Sequence, residues 1–226
     1  MNLTRGNMSK ADLRIDWATH EAAKYACENW HYSGCLPVGK LVKVGAWENE
    51  KYIGAVLFGR GANNNMLKPF GLEQDQGCEL VRIALTAHIA PVSRITAQAI
   101  RFLKKQSDGL RLIVSYADPE QGHHGGIYQA GNWVYTGPSG KAIKVFYNGK
   151  WSHKKTVDDA RVDQSNLKKK IVSGKHRYLM PLDDEMRKRI LPLAKPYPKR
   201  AKQAMVSFPE TQRQGGTDPH APTAST

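Results

Sequence analysis

LRLIVSYADPEQGHHGGIYQAGNWVYTG, residues 110–137, is the stretch on which the fold turns. LRLIVSYAD reads as an apolar strand that ends in polar residues at Ser115 and Asp118. QGHHGG is then a glycine-rich loop, and IYQAGNWVYTG a short helix followed by another strand. In an open α/β sheet, polar groups at the carboxyl end of a central strand line the crevice where ligands bind. Ser115, Tyr116 and Asp118 are therefore the first residues to ask about chemistry.

Upstream, PVSRITAQAIRFLKKQ carries Ile95, Ala99, Phe102 and Leu103 on one helical stripe, with Lys104 and Lys105 suited to the helix C-terminus. CELVRIALTA before it is a strand, and LVKVGAWE and YIGAVLFGR form an antiparallel hairpin about Asn49, Glu50 and Lys51. Thr19 is placed to cap a first helix, HEAAKYACENW, whose end runs into HYSGCLPVGK and leaves His31, Tyr32 and Ser33 on a helix-to-loop junction. Downstream, AIKVFYNGKW and the segment near HRYLMPL are two more strand-like runs. Helix, hairpin, strand, helix, strand, helix, strand and strand predict a mixed, mostly antiparallel central sheet flanked by helices, not a doubly wound parallel one.

The chain has 226 residues, enough for one ordinary α/β domain with a tail, and a formal charge of +14 from 34 Lys+Arg against 20 Asp+Glu. Residues 1–149 carry +5 of that excess and residues 150–226 carry +9. Phosphates neutralised by such a surface release counterions, which makes nucleic acid the leading partner class. Lys168, Lys169 and Lys170, followed by Lys175, His176 and Arg177, form the densest cluster and are the candidate phosphate contacts. Further basic groups stand at Arg187, Lys188 and Arg189, and at Lys199, Arg200 and Lys202. The expected division is a catalytic domain over 1–182, with a basic segment at 150–182, and a basic, largely disordered tail over 183–226.

No apolar run approaches the roughly 18 residues of a membrane span, and the N-terminus lacks an apolar signal core, so a cytoplasmic protein without a membrane partner is expected. Cys27, Cys35 and Cys78 make neither a disulfide framework nor a CxxC pair. Cys27, His31 and Cys35 do form C-x3-H-x3-C, but Gly34 breaks the helix and no fourth zinc ligand is near in sequence.

Asp118 could take a proton from an amino group or ligate a metal; the alternative is an Asp-Pro turn in which it caps its own backbone. The His31 imidazole offers a neutral ligand or a proton shuttle, and the Tyr32 phenol a donor to developing negative charge. Ser115 is a candidate orienting group. Arg82 pairs with Glu79 or reaches the cleft, and His123 and His124, adjacent in a loop, point apart.

The order of elements resembles the acyltransferase fold of Gcn5-related N-acetyltransferases, and IYQAGNWVYTG is similar to its late helix and strand. More specifically, ENWHYSGCLPVGK, ELVRIAL, VSYADPEQGHHGGIYQAGNWVYTG and GKHRYLMPL resemble the Mom DNA-modification proteins of Mu-like phages, over about residues 12–182. That resemblance implies conversion of adenine to N6-carbamoylmethyladenine in double-stranded DNA within the host cytoplasm, protecting phage DNA from restriction. It also implies a His-Tyr pair and an Asp in an iron-assisted reaction, on His31, Tyr32 and Asp118, while Tyr128 resembles the general-acid tyrosine of Gcn5-related enzymes.

One departure stands out. Where acetyl-CoA enzymes of that fold carry a glycine-rich pyrophosphate loop, this chain reads LTAHIAPVSR, without glycine and with Pro91 removing an N–H donor. A pyrophosphate would be left with the helix N-terminus, Ser93 and Arg94. Acetyl-CoA is therefore in doubt, and the donor, a small molecule or an aminoacyl group, is open, as is a homodimer. The competing readings are an N-acyltransferase acting on a protein, tRNA or small amine, and a non-catalytic DNA-binding protein on the same fold.

Overall fold

A computed structural model describes residues 12–61 and 63–199. The elements are β1 (Leu13–Trp17), α1 (His20–Trp30), β2 (Leu41–Glu48), β3 (Lys51–Gly59), β4 (Gly77–Leu85), α2 (Val92–Gln106), β5 (Leu112–Ala117), α3 (Gly126–Ala130) and β6 (Val134–Pro138). There follow β7 (Ala142–Tyr147), β8 (Lys150–His153), α4 (Lys154–Asp159), β9 (Lys169–Val172), β10 (His176–Pro181) and α5 (Asp184–Ile190). Seven strands make one sheet in the order β1-β2-β3-β4-β5-β10-β6. Every neighbouring pair in it is antiparallel except β4 and β5, which run parallel and are joined by the α2 crossover. The mixed, mostly antiparallel sheet expected from the sequence is what the chain forms.

Local chemistry explains the elements. Thr19 caps α1 by accepting from the Ala22 N–H at 3.1 Å. Asn49 and Glu50, both at positive φ, close the β2–β3 hairpin in two residues. The α2 stripe buries Ile95, Thr96, Ala99, Ile100 and Leu103 against one face of the sheet, with Val56, Phe58, Leu80 and Ile113 beneath. Alternation sends Ala55, Leu57 and Ala84 to the other face, under Ala22, Ala23, Ala26 and Cys27 of α1.

Three features differ from the sequence reading. β1 precedes α1 as an edge strand; only five residues long and half-exposed, it carries too short an alternation to stand out. AIKVFYNGKW is not one strand but the β7–β8 hairpin, turned at Asn148 and Gly149, and β9 joins it in a second sheet ordered β8-β7-β9. The third concerns the expected tail, because residues 183–199 are held by the domain. Asp183 caps α5 through the Met186 N–H at 2.7 Å, and Met186 and Ile190 are fully buried beside Leu112, Val114 and Leu179. Past α5 the Lys195 N–H bonds to Tyr135 O at 2.8 Å and the Tyr197 hydroxyl to Trp133 O at 2.7 Å. Arg200 and Lys202, with the rest of the expected tail, lie outside the described residues. Among the described residues no helix is long and apolar enough to cross a membrane.

The Arg111 guanidinium meets Asp183 at 2.8 and 3.0 Å, and this hydrogen bonding above all holds the Asp183 carboxyl down at about 2. Because the folded value lies below the ordinary 3.8, the stabilisation is complete above about pH 4 and disappears as pH falls towards 2. Asp183→Ala should cost about 1–2 kcal/mol in urea unfolding at neutral pH, as loss of a helix cap does, and the difference from wild type should shrink on acidification.

Candidate active site

The β4–β5 pairing runs from Gly77–Leu112 to Leu80–Ser115 and stops there. Against β3, Leu57 pairs with Arg82 and Phe58 with Leu80, so Val81 is an extra residue that bends β4 at that point. The two strands part beyond it, and side chains from both faces of the sheet converge on the opening.

From the α2 and α3 side, the Ser115 hydroxyl lies 2.8 Å from Leu80 O and 2.8 Å from the Tyr128 hydroxyl. A carbonyl can only accept, so Ser115 gives its proton to Leu80 and takes one from Tyr128. Burial is the main reason the Tyr128 phenol is pushed up to about 12, with Glu79 and Tyr32 adding to it. Tyr128 thus stays a neutral donor at physiological pH. Gly125, at φ +81°, starts α3 where any Cβ would collide with the Tyr178 ring, and the Tyr178 hydroxyl donates to His124 O at 2.5 Å.

From the α1 side come His31 and Tyr32, whose rings lie 4.2 Å apart, with Tyr32 edge-on to His123 at 5.2 Å. His31 Nδ1 is 2.8 Å from Ser33 Oγ. Desolvation first, then the charges of Arg82 and His123, lower the imidazole to about 4, so it is neutral at pH 7. Arg82 reaches from β4 to the Cys35 carbonyl, and its charge opposes the upward push of burial on the Cys27 thiol, so it spans the loop that carries His31. Arg82 is therefore the strut of the α1–loop junction, a role that spacing alone did not reveal.

Asp118 does what an Asp-Pro turn does: its carboxylate accepts from the Glu120 N–H at 3.0 Å. It also faces Lys175 Nζ at 3.5 Å. It lines a cleft of about 730 Å³ shared with Glu79, Tyr116, Glu120, Lys144 and Lys175, within the roughly 300–1,000 Å³ usual for small-molecule sites. The link back to His31 and Tyr32 is the 118–123 loop, closed by the His123 N–H on Asp118 O at 3.1 Å. The structure thus joins Ser115 to Tyr128 and His31 to Tyr32, while Asp118 is engaged by Lys175 and its own turn. Among the described residues no group of three His, Cys, Asp or Glu side chains could hold a metal.

The basic candidates divide by environment. Lys168 and Lys169 are exposed, whereas Lys170 lies 3.5 Å from Glu120. Lys175 is the Asp118 partner, and Arg177 donates to Thr136 Oγ1 at 2.8 Å with its guanidinium over Phe70.

Ser93 and Arg94 stand in the first turn of α2, but the loop before it is already satisfied. The buried Glu48 carboxylate, at the end of β2, accepts from the Ile89 and Ala90 N–H groups at 2.7 Å each. Its own burial opposes ionisation, yet these two bonds prevail and its carboxyl sits below the ordinary range. A CoA pyrophosphate would have to expel this carboxylate, so the residues present do not fit that group in the manner of a glycine-rich loop. Glu48→Ala should leave both N–H groups without their acceptor and cost about 2 kcal/mol in chemical denaturation at pH 7. An unchanged midpoint would remove the pin from the loop.

Together, fold and site define an α/β protein whose central sheet opens at one parallel strand pair over a His, Tyr, Arg and Ser cluster. The chain belongs to the Mom protein family, whose model it matches over residues 12–199. It is 24% identical over 204 residues to the methylcarbamoylase mom of Escherichia phage Mu, across 83% of this chain and 84% of that protein. Among solved structures, a protein described as an acetyltransferase from Acinetobacter baylyi aligns with TM-score 0.41 and 12% identity, over 78% of this chain and 95% of that one.

Proposed function

We propose that this chain modifies DNA, converting adenine to N6-carbamoylmethyladenine. What carries the proposal is the family match over residues 12–199, which spans the opened strand pair and its His31, Tyr32, Ser115 and Tyr128 cluster. In such a reaction the N6–carbon bond forms as the bond from the carbamoylmethyl carbon to its donor's leaving group breaks, and N6 gives up one proton. The adenine amino group is paired inside the duplex, so the base must first be extruded. The cleft beside Asp118, Tyr116 and Glu79 has the volume for it.

Asp118 would receive the N6 proton once a substrate phosphate draws Lys175 away from it. The neutral His31 and the Tyr32 phenol would orient the base and donate to charge on the departing group, with Tyr128 held beside them by its bond to Ser115. Iron held by His31, Tyr32 and Asp118 would need Asp118 free of Lys175 and its turn, and the residues as they stand do not make that centre. The proposed steps therefore use side chains alone. A donor held without a pyrophosphate cradle is consistent with the Glu48-filled loop.

Nucleoside mass spectrometry of DNA from cells expressing the chain should reveal adenine heavier by one carbamoylmethyl group. His31→Ala and Asp118→Ala should lose the adduct with the fold retained. DNA binding without any adduct would favour a binding protein, and CoA-dependent acylation of an amine an N-acyltransferase. For the phosphate grip, duplex affinity should fall steeply with salt. Replacing Lys168 and Lys169 by Gln should reduce the slope of log K against log salt by about 2, one step per lost contact.

A further inference from the structure

The second sheet has two unlike faces. On one, Val145 of β7 and Val157 of α4 are both fully buried, with α4 packed on β7. On the other, the register places Phe146 opposite Trp151 and Lys144 opposite Lys170, so these four side chains share a face. Ala142 and Val172, paired on that same face, line the cleft of Asp118 and Tyr116. This face therefore continues directly into the candidate active site.

Its chemistry is unusual for a surface. Trp151 and Phe146 are each 39% exposed, edge to face at 5.4 Å, and Lys170 Nζ sits over the indole at 4.8 Å. Lys168 is exposed immediately before β9 and its carbonyl accepts the Phe146 N–H at 2.9 Å, which brings a further cation to the aromatic pair. Glu120 is the acidic group that meets the face, shared by Lys144 and Lys170. Aromatic rings interleaved with lysines suit a strand of bases on a phosphate chain, where each base stacks and each phosphate takes a cation. A duplex offers no base face to a flat ring, so the complementary ligand is unpaired.

We propose that Trp151, with Phe146 and Lys170, is a stacking platform for an unpaired deoxynucleotide, the one beside the base delivered to the cleft. The assignment of that neighbouring base rests on the DNA-modification reading; the platform itself rests on the exposed aromatic and basic face. As the base stacks, Lys170 moves from the indole to the adjoining phosphate. Trp151 then acts as a wedge that keeps the strand open.

The full-length chain can be titrated with a single-stranded oligodeoxythymidylate of 12 nucleotides and with a duplex of equal length, following tryptophan emission. Wild type should be quenched by the single strand, and Trp151→Phe should lose most of that quenching while keeping affinity within a few fold. Trp151→Ala should weaken single-strand binding about tenfold and duplex binding less than twofold, with an unchanged circular dichroism spectrum. Equal affinities for Trp151→Ala and wild type, or an equal loss on both ligands, would overturn the proposal. Should Trp151→Ala disturb the fold, the quenching difference between wild type and Trp151→Phe decides alone. Mass spectrometry of adenine in the same wild-type preparation keeps the two ideas apart, since a missing adduct with selective single-strand loss spares the platform and sinks only the modification.

Discussion

The end of the β4–β5 pairing at Leu80 and Ser115 is the constraint on which the site depends. Two parallel strands can be driven apart only if the backbone groups released by the break find other partners. Here the Val81 bulge bends β4, and Ser115 reaches back to cap the Leu80 carbonyl with its own hydroxyl. Tyr128 then bonds to Ser115, so the group that satisfies the break also fixes a phenol at the opening. Around it Tyr128, Trp133, Tyr135 and Tyr178 pack ring on ring at 5.0 and 5.1 Å, which leaves Tyr128 little freedom to rotate away. Structural repair and site construction are the same hydrogen bonds.

A second consequence concerns the loop after β4. In a fold of this kind the N-terminus of α2 would be the ready-made place for an anion, since helix N-termini present unpaired N–H groups. Glu48 places an anion just before that terminus, on the Ile89 and Ala90 N–H groups of the loop. The arrangement stabilises the loop at all times, where a phosphate-bearing donor would do so only when bound.

Much of this was legible in the residues. The α2 stripe, the Asn49–Glu50 hairpin and the Thr19 cap are local signals, and each element formed where its signal lay. His31 and Tyr32 could be singled out because they follow the end of α1, and Ser115 because it is a polar residue late in the apolar run of β5, whereas Tyr128, inside α3, was marked by the family resemblance. The Asn148–Gly149 turn was also in plain view, yet the run around it is short and lightly patterned, and a hairpin of a separate sheet does not announce which sheet it joins. Glu48 and Arg82 were illegible for a different reason. Glu48 meets partners 41 and 42 residues away and Arg82 one 47 residues away, so nothing near either in sequence marks its role. α5 went unseen because Met186 and Ile190 are few apolar positions in a strongly charged segment, and only the surface of β5 and β10 shows why they are buried.

The same distinction changes the meaning of the positive charge. Counted along the chain, the basic residues are a loose polycation; in space, several of those around the cleft are already paired. Glu120 holds Lys144 and Lys170, Asp118 faces Lys175, and Asp158 holds Lys154 at 2.8 Å. Pairs as exposed as these contribute little to stability, because water screens them and long side chains lose freedom in forming them. Their effect is positional: each carboxylate keeps an ammonium near the cleft rim in the absence of nucleic acid. Under the proposed DNA function, an arriving phosphate would exchange with the carboxylate and inherit a lysine already in place. At Lys175 that exchange would have a chemical consequence, for it would uncover the Asp118 carboxylate beside the cleft as a nucleotide entered. Binding and the exposure of a proton acceptor would then be one event, and the excess of lysine over acid becomes a means of coupling the two.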